Sequence, residues 1–208
     1  MPLEPRSDNP VIAAARGERQ WARSAQTRTA LLDAARDVFL EFGFTAAGVN
    51  TIVERSGLSV GSLYHHFGGK AELFLALWEE FEKANKTAAR DAVAAARRRG
   101  ERDRTELFVA GARAYLEMNW DNRREAELFL GGDAPPGFET LLRKEAREWI
   151  KDNATLLGVD DEPLRRAQVM ALTSIVGDAT VEISDLRDRG EVDEMIEATI
   201  SIVRKIAA

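Results

Sequence analysis

Ser56-Gly57-Leu58-Ser59-Val60-Gly61-Ser62-Leu63-Tyr64-His65-His66-Phe67-Gly68-Gly69-Lys70 is the stretch whose reading decides the fold of this chain. Gly57 closes a short amphipathic run, Val49 to Ser56, at a point where a helix end accepts a residue tolerant of positive φ. Ser59 stands as N-cap of the next helix, its hydroxyl placed to accept from the backbone N–H of Gly61 or Ser62. Two short helices joined by a three-residue turn are predicted. At roughly 100° per residue Val60, Leu63 and Phe67 share a stripe that can pack on Ile52, Val53 and Leu58. Gly61, Ser62, His65 and His66 take the opposite arc, and Tyr64 sits at the flank. A helix with an apolar back and a front of small, hydroxyl and imidazole side chains suits a major groove. Lys70 opens the following helix and offers an ammonium to a phosphate.

Upstream, Ala30 to Phe44 reads Ala-Leu-Leu-Asp-Ala-Ala-Arg-Asp-Val-Phe-Leu-Glu-Phe-Gly-Phe, and Leu63-Tyr64-His65-His66-Phe67-x-x-Lys70 follows in register. Thr27 to Leu73, about a quarter of the chain, thereby resembles the DNA-binding domain of the tetracycline-repressor (TetR) family of bacterial transcription regulators. The resemblance implies that Tyr64, His66 and Lys70 bind phosphates and that Gly61, Ser62 and His65 face base edges. Ser59 and Val60 open the same recognition helix, Asn50 and Thr51 lie near the start of helix 2, and Arg28 opens helix 1. Two positions depart from the pattern: Gly48 replaces the hydroxyl residue frequent at the start of helix 2, and Val60 stands where a basic or polar residue is common.

Composition is compatible with that reading without requiring it. The 208 residues, 45% of them hydrophobic, suffice for one domain or a small one plus a larger one. The absence of cysteine removes disulfides and thiolate metal sites. No apolar run reaches membrane-spanning length, and Met1 to Trp21 lacks the pattern of a leader, so a cytoplasmic protein is expected. Residues 1–70 carry a net charge of +1 and the remainder −7 within a total of −6, so the nucleic-acid expectation rests on the motif.

Helical periodicity runs almost throughout, giving an all-α class, and the resemblance implies a three-helix helix-turn-helix domain followed by a helical ligand-binding and dimerisation domain. The expected divisions are a mobile arm at 1–23, read as a disordered N-terminus in preference to one whose Arg16, Arg19 and Arg23 touch phosphates or a minor groove, a DNA-binding domain at 24–69 and an effector and dimerisation domain at 70–208. Helix 1 is expected over Thr27 to Phe42, with Leu31, Ala34, Ala35, Val38 and Phe42 on one face. A long helix runs from Lys70 toward Arg99 and breaks at Gly100. Further helices are expected over Arg104 to Trp120, Arg123 to Leu130, Phe138 to Leu157, Pro163 to Leu186 and Glu191 to Ile206.

The resemblance gives the second domain two tasks. Self-association as a homodimer is expected through Ala171, Ile175, Ala179, Ile183, Ile196, Ile200 and Val203, on the last two helices. A small-molecule effector is expected among Trp78, Phe81, Phe108, Tyr115, Met118, Phe129 and Trp149, oriented by Asn85, Asn119 and Thr173. Such residues equally serve as ordinary core. The two histidines are adjacent and splay on a helix, no cysteine nucleophile or phosphate-cradling loop appears, and the acidic runs resemble solvated faces and caps. Neither catalytic residues nor metal ligands nor a cofactor are therefore expected. The expected function is a ligand-responsive regulator, as a repressor released from a double-stranded operator when the effector binds. The rival is a helical enzyme or protein-docking adaptor with a vestigial head.

Overall fold

The computed structural model describes residues 10–159 and 162–207, with side chains from Trp21 onward, so Asp160 and Asp161 of the expected interhelix linker lie outside it. Among the described residues every regular element is a helix. The elements divide into two compact units, residues 1–42 with 46–76 and residues 43–45 with 77–208.

The first unit holds α1 (Pro10–Ala46), α2 (Val49–Ser56), α3 (Val60–Phe67) and the opening of α4 (Lys70–Arg98). The arm expected over residues 1–23 is helical from Pro10 onward, and residues 1–9 lie outside the described residues. Pro10 suits a first helical turn, and the Ala13-Ala14-Ala15-Arg16 run has high helix propensity. Every side chain from Trp21 to Gln26 is exposed. The inward stripe of α1 begins at Leu31 and continues through Ala35, Val38 and Phe39, all buried. Phe42, expected in the core, is 46% exposed, and the Arg55 guanidinium lies 5.8 Å from its ring centre. Phe39 is the buried ring instead, meeting Phe74 of α4 edge-on at 5.6 Å. That contact explains why the first unit reaches Ala76, beyond the boundary at residue 69 that the motif suggests. Gly43 interrupts α1 at φ 74°, ψ 174°, a backbone conformation that side-chain-bearing residues rarely adopt.

The second unit comprises the rest of α4 with α5 (Arg104–Asp121), α6 (Arg123–Leu130), α7 (Phe138–Leu157), α8 (Pro163–Asp185) and α9 (Arg189–Ala207). Helix α8 is its axis, packing on α5, α6, α7 and α9. Phe108, Leu116 and Trp120 of α5, Leu172, Val176 and Ile183 of α8, and Val192, Ile196, Ile200 and Val203 of α9 form its core. A second group of rings closes the near end of α4: Trp78 meets Phe129 at 5.5 Å and Phe138 at 5.3 Å, both edge-on. Asp103 caps α5 by accepting from the Glu106 N–H at 3.0 Å.

Candidate functional site

The turn between α2 and α3 forms as its residues dictate. Gly57 ends α2 at φ 67°, and Ser59 caps α3, its hydroxyl accepting from the Ser62 N–H at 3.1 Å. Leu63 is buried beneath α3, whereas Gly61, Tyr64 and His65 are exposed and Ser62 and His66 half-buried. Val60, expected to pack with Leu63, is 40% exposed instead, because the first turn of α3 stands clear of α2. The His65 and His66 rings stand edge-on with centres 5.1 Å apart. On α1, the Arg28 guanidinium lies 4.4 Å from the centre of the Phe67 ring, a contact that ties the two helices together. Lys70 donates from Nζ to the Ala47 carbonyl at 2.9 Å, joining the start of α4 to the loop before α2. Asn50 is exposed and Thr51 half-buried in the first turn of α2.

The second unit contains a cavity of about 750 Å3 between α4, α5, α7 and α8. Trp78, Phe108, Tyr115 and Trp149 supply its rings, with Tyr115 and Trp149 edge-on at 5.3 Å. One wall is charged. Glu82 accepts from Trp149 Nε1 at 2.7 Å and pairs with Lys86 at 3.2 Å, while Lys86 reaches Glu145 at 2.6 Å. Burial pushes the Glu82 carboxyl above the usual range against the opposing pull of Lys86 and Trp149. Burial alone would lower Lys86, but its bonds to Glu145 and Glu82 prevail and raise it, so the ammonium stays charged. Burial, reinforced by the Glu82 charge, pushes the Tyr115 phenol up to about 12. The wall therefore contains two carboxyl groups for one ammonium, and Arg90, Arg97, Asp152 and Asp178 also border the cavity.

Residues 31–77 match the family model described as bacterial regulatory proteins, tetR family. Over those residues the chain carries a DNA-binding domain of the TetR family. It is 41% identical over 58 residues to the transcriptional repressor AcnR of Corynebacterium efficiens, covering 28% of this chain and 31% of that protein. It is 35% identical over 167 residues to the transcriptional activator FasR of Mycolicibacterium smegmatis, covering 79% of this chain and 61% of that protein. The chain thus spans less than two thirds of the length of these relatives. A TetR-like transcriptional regulator from Rhodococcus sp. RHA1 shares the fold at a TM-score of 0.63 and 19% identity, over 87% of this chain and 93% of that one. Regulators of the family that the head matches are non-enzymatic DNA-binding proteins.

Of the residues expected to meet a TetR effector, Trp78, Phe108, Tyr115, Trp149 and Thr173 line the cavity. Phe81 and Phe129 do not; their rings pack on one another at 5.3 Å. Met118 Sδ contacts Asn122 Nδ2 at 3.0 Å, also away from the lining. Asn85 and Asn119 are buried outside it as well, with Asn119 Nδ2 donating to Asn85 Oδ1 at 3.3 Å. Helical periodicity places a residue on the inward side but does not say whether a neighbouring ring or a void lies opposite. Glu82, Lys86 and Glu145 escaped the sequence reading. The i, i+4 spacing of Glu82 and Lys86 was the available signal, but it usually marks a solvated pair.

The residues expected at the dimer seam take the following places within the single chain. Ala179, Ile183, Ile196, Ile200 and Val203 are buried in the core of their own unit, and Ala171 and Ile175 are half-buried. The periodic apolar residues of α8 and α9 satisfy the chain's own core. Leu164, Met170 and Val181 of α8 and Ile202 of α9 are the exposed large apolar residues of this pair. Among the described residues no group of three or more His, Cys, Asp or Glu is placed to hold a metal ion. No helix among them is long and apolar enough to cross a membrane.

Proposed function

We propose that this chain is a cytoplasmic homodimeric regulator that grips an operator through α2 and α3 and responds to a small molecule in the cavity of its second unit. The observation that carries the reading is the front of α3. Hydroxyl, imidazole and phenol groups stand exposed there on a helix anchored by buried Leu63 and capped by Ser59. On this reading Tyr64, His66 and Lys70 hold phosphates, Ser62 and His65 face bases, and Arg28, Asn50 and Thr51 contribute from α1 and α2.

The dimer would form through the exposed face of α8 and α9, where Leu164, Met170 and Ile202 await cover. Two copies then present their α3 helices to major grooves one turn apart, about 34 Å. Helix α4 carries both Lys70 and cavity residues from Trp78 to Arg97, so an effector that prefers one setting of α4 shifts the population able to hold DNA. We infer repression as the output, as in AcnR. Activation has support of its own, since the likeness to the activator FasR extends over 167 residues, well beyond the head. Sequencing genomic fragments retained by the purified protein, then placing the recovered site before a reporter, tests the reading. Transcription falling when the protein is present supports repression, a rise supports activation, and retention of no preferred fragment overturns the regulator.

A further inference from the structure

The cavity ends in a second recess, of about 540 Å3, lined by Arg97, Arg98, Arg102 and Arg104 with Glu101 and Leu107. The two spaces share Arg97, Thr155 and Leu156 as common walls. Four guanidiniums and one carboxylate leave this recess at +3 in a chain of net charge −6. The Glu101 carboxylate is already engaged, accepting from the backbone N–H groups of Arg102 and Asp103 at 2.7 Å each. Arg102 donates to the carbonyls of Arg97 and Glu101 at 3.0 and 2.8 Å. Among the described residues none of the four arginines forms an ion pair with a carboxylate. Cations are favoured at the C-terminus of α4, which accounts for Arg97 and Arg98 but not for a basic recess sharing its walls with an apolar cavity.

We propose that the cavity binds an amphiphile whose apolar chain lies along α4 and whose phosphate-bearing head rests on the arginines of the adjoining recess. The inference rests on the effector reading of the cavity and names its ligand class. Trp78 and Arg97 are nineteen residues apart on α4, about 28 Å at 1.5 Å per residue, a span suited to an extended chain. The wall at the other end, where Glu82 and Glu145 surround Lys86, has its one ammonium already engaged by carboxyl groups and offers no excess positive charge to an anionic head, which fixes the orientation. Guanidinium groups match phosphate oxygens in pairs, and a head carrying one or more phosphates meets this donor set better than a single carboxylate.

The test is tryptophan fluorescence, reading Trp78 and Trp149, on the full-length protein with dodecyl phosphate, dodecanol and dodecyltrimethylammonium, each below its micelle concentration. Dodecyl phosphate is expected to bind at least about tenfold more tightly than either, an advantage that salt reduces. Arg97→Gln with Arg98→Gln should abolish the advantage, whereas Arg98→Lys should retain most of it. Gly177→Leu should weaken all three compounds, because Gly177 lines the cavity and a Cβ there meets nothing within 4 Å. Equal binding of the three compounds, or an advantage untouched by the double variant, overturns the head-group assignment and leaves the effector cavity standing. If none of the three binds, the effector reading falls with it. Palmitoyl-coenzyme A and palmitoyl lysophosphatidic acid, compared in the same assay, distinguish a phosphorylated carrier from a lipid as the source. Tight binding of either supports the proposal, and rejection of both alongside dodecyl phosphate overturns it.

Discussion

Ser59 shows how much one side chain settles in this molecule. Its hydroxyl caps the N-terminus of α3, and replacing it with alanine should cost about 1 kcal/mol, read as a fall in thermal midpoint. An unchanged midpoint would mean the cap is not formed in solution. Lys70 has a double task in this structure, since its ammonium also holds the Ala47 carbonyl. Lys70→Ala should therefore lower stability as well as weaken specific and random duplexes alike, with the salt slope of binding reduced by about one. His65→Ala should instead alter base preference. Glu82 carries a pH signature. Its folded pKa lies above the ordinary carboxyl value, so the protonated form suits the fold, and that contribution is lost as pH rises through the folded pKa. Glu82→Gln, which imitates the protonated form and keeps an acceptor for Trp149, should gain melting temperature over the native chain from about pH 5 to about pH 8. A gain that shrinks with rising pH would contradict the assignment.

At the scale of elements, α8 and α9 hold both buried and exposed apolar residues, and the two kinds should respond differently to the same charge. Ile200→Glu places a carboxylate at a position with no exposure and should cost several kcal/mol, unfolding the second unit at ordinary temperature. Met170→Glu, at a position 53% exposed, should leave the isolated fold intact yet give a monomer in light scattering and a protein that no longer holds a two-half-site operator. A Met170→Glu protein still fully dimeric would move the interface away from α8. Gly177 is the other informative position on α8. Its Cβ would meet nothing, so Gly177→Ala should raise stability by about 0.5–1 kcal/mol through helix propensity while taking little of the cavity.

For the whole molecule, helix existence and type were legible along nearly the entire chain, because apolar periodicity and end signals are local properties. The α2 and α3 boundaries, the Ser59 cap and the left-handed Gly57 follow from a dozen consecutive residues, and so does the exposed front of α3. The helix at residues 10–23 was missed because the sequence there shows no sustained apolar period of 3.6, even where its helix propensity is high. The sequence by itself determined the helical class, the helix-turn-helix and the groups α3 exposes, all of which depend on residues within a turn or two of one another. Tertiary structure alone decided which apolar residues of α8 and α9 are buried, and which aromatics interlock, as Phe81 with Phe129, or border a void, as Trp149 with Tyr115. It also decided that Glu82, Lys86 and Glu145 meet, with Lys86 on α4 and Glu145 on α7 drawn together across 59 positions of sequence. A helix presents its surface by a period of 3.6 residues, but which neighbour covers that surface depends on the competition of all the helices for one another, and no local pattern encodes it.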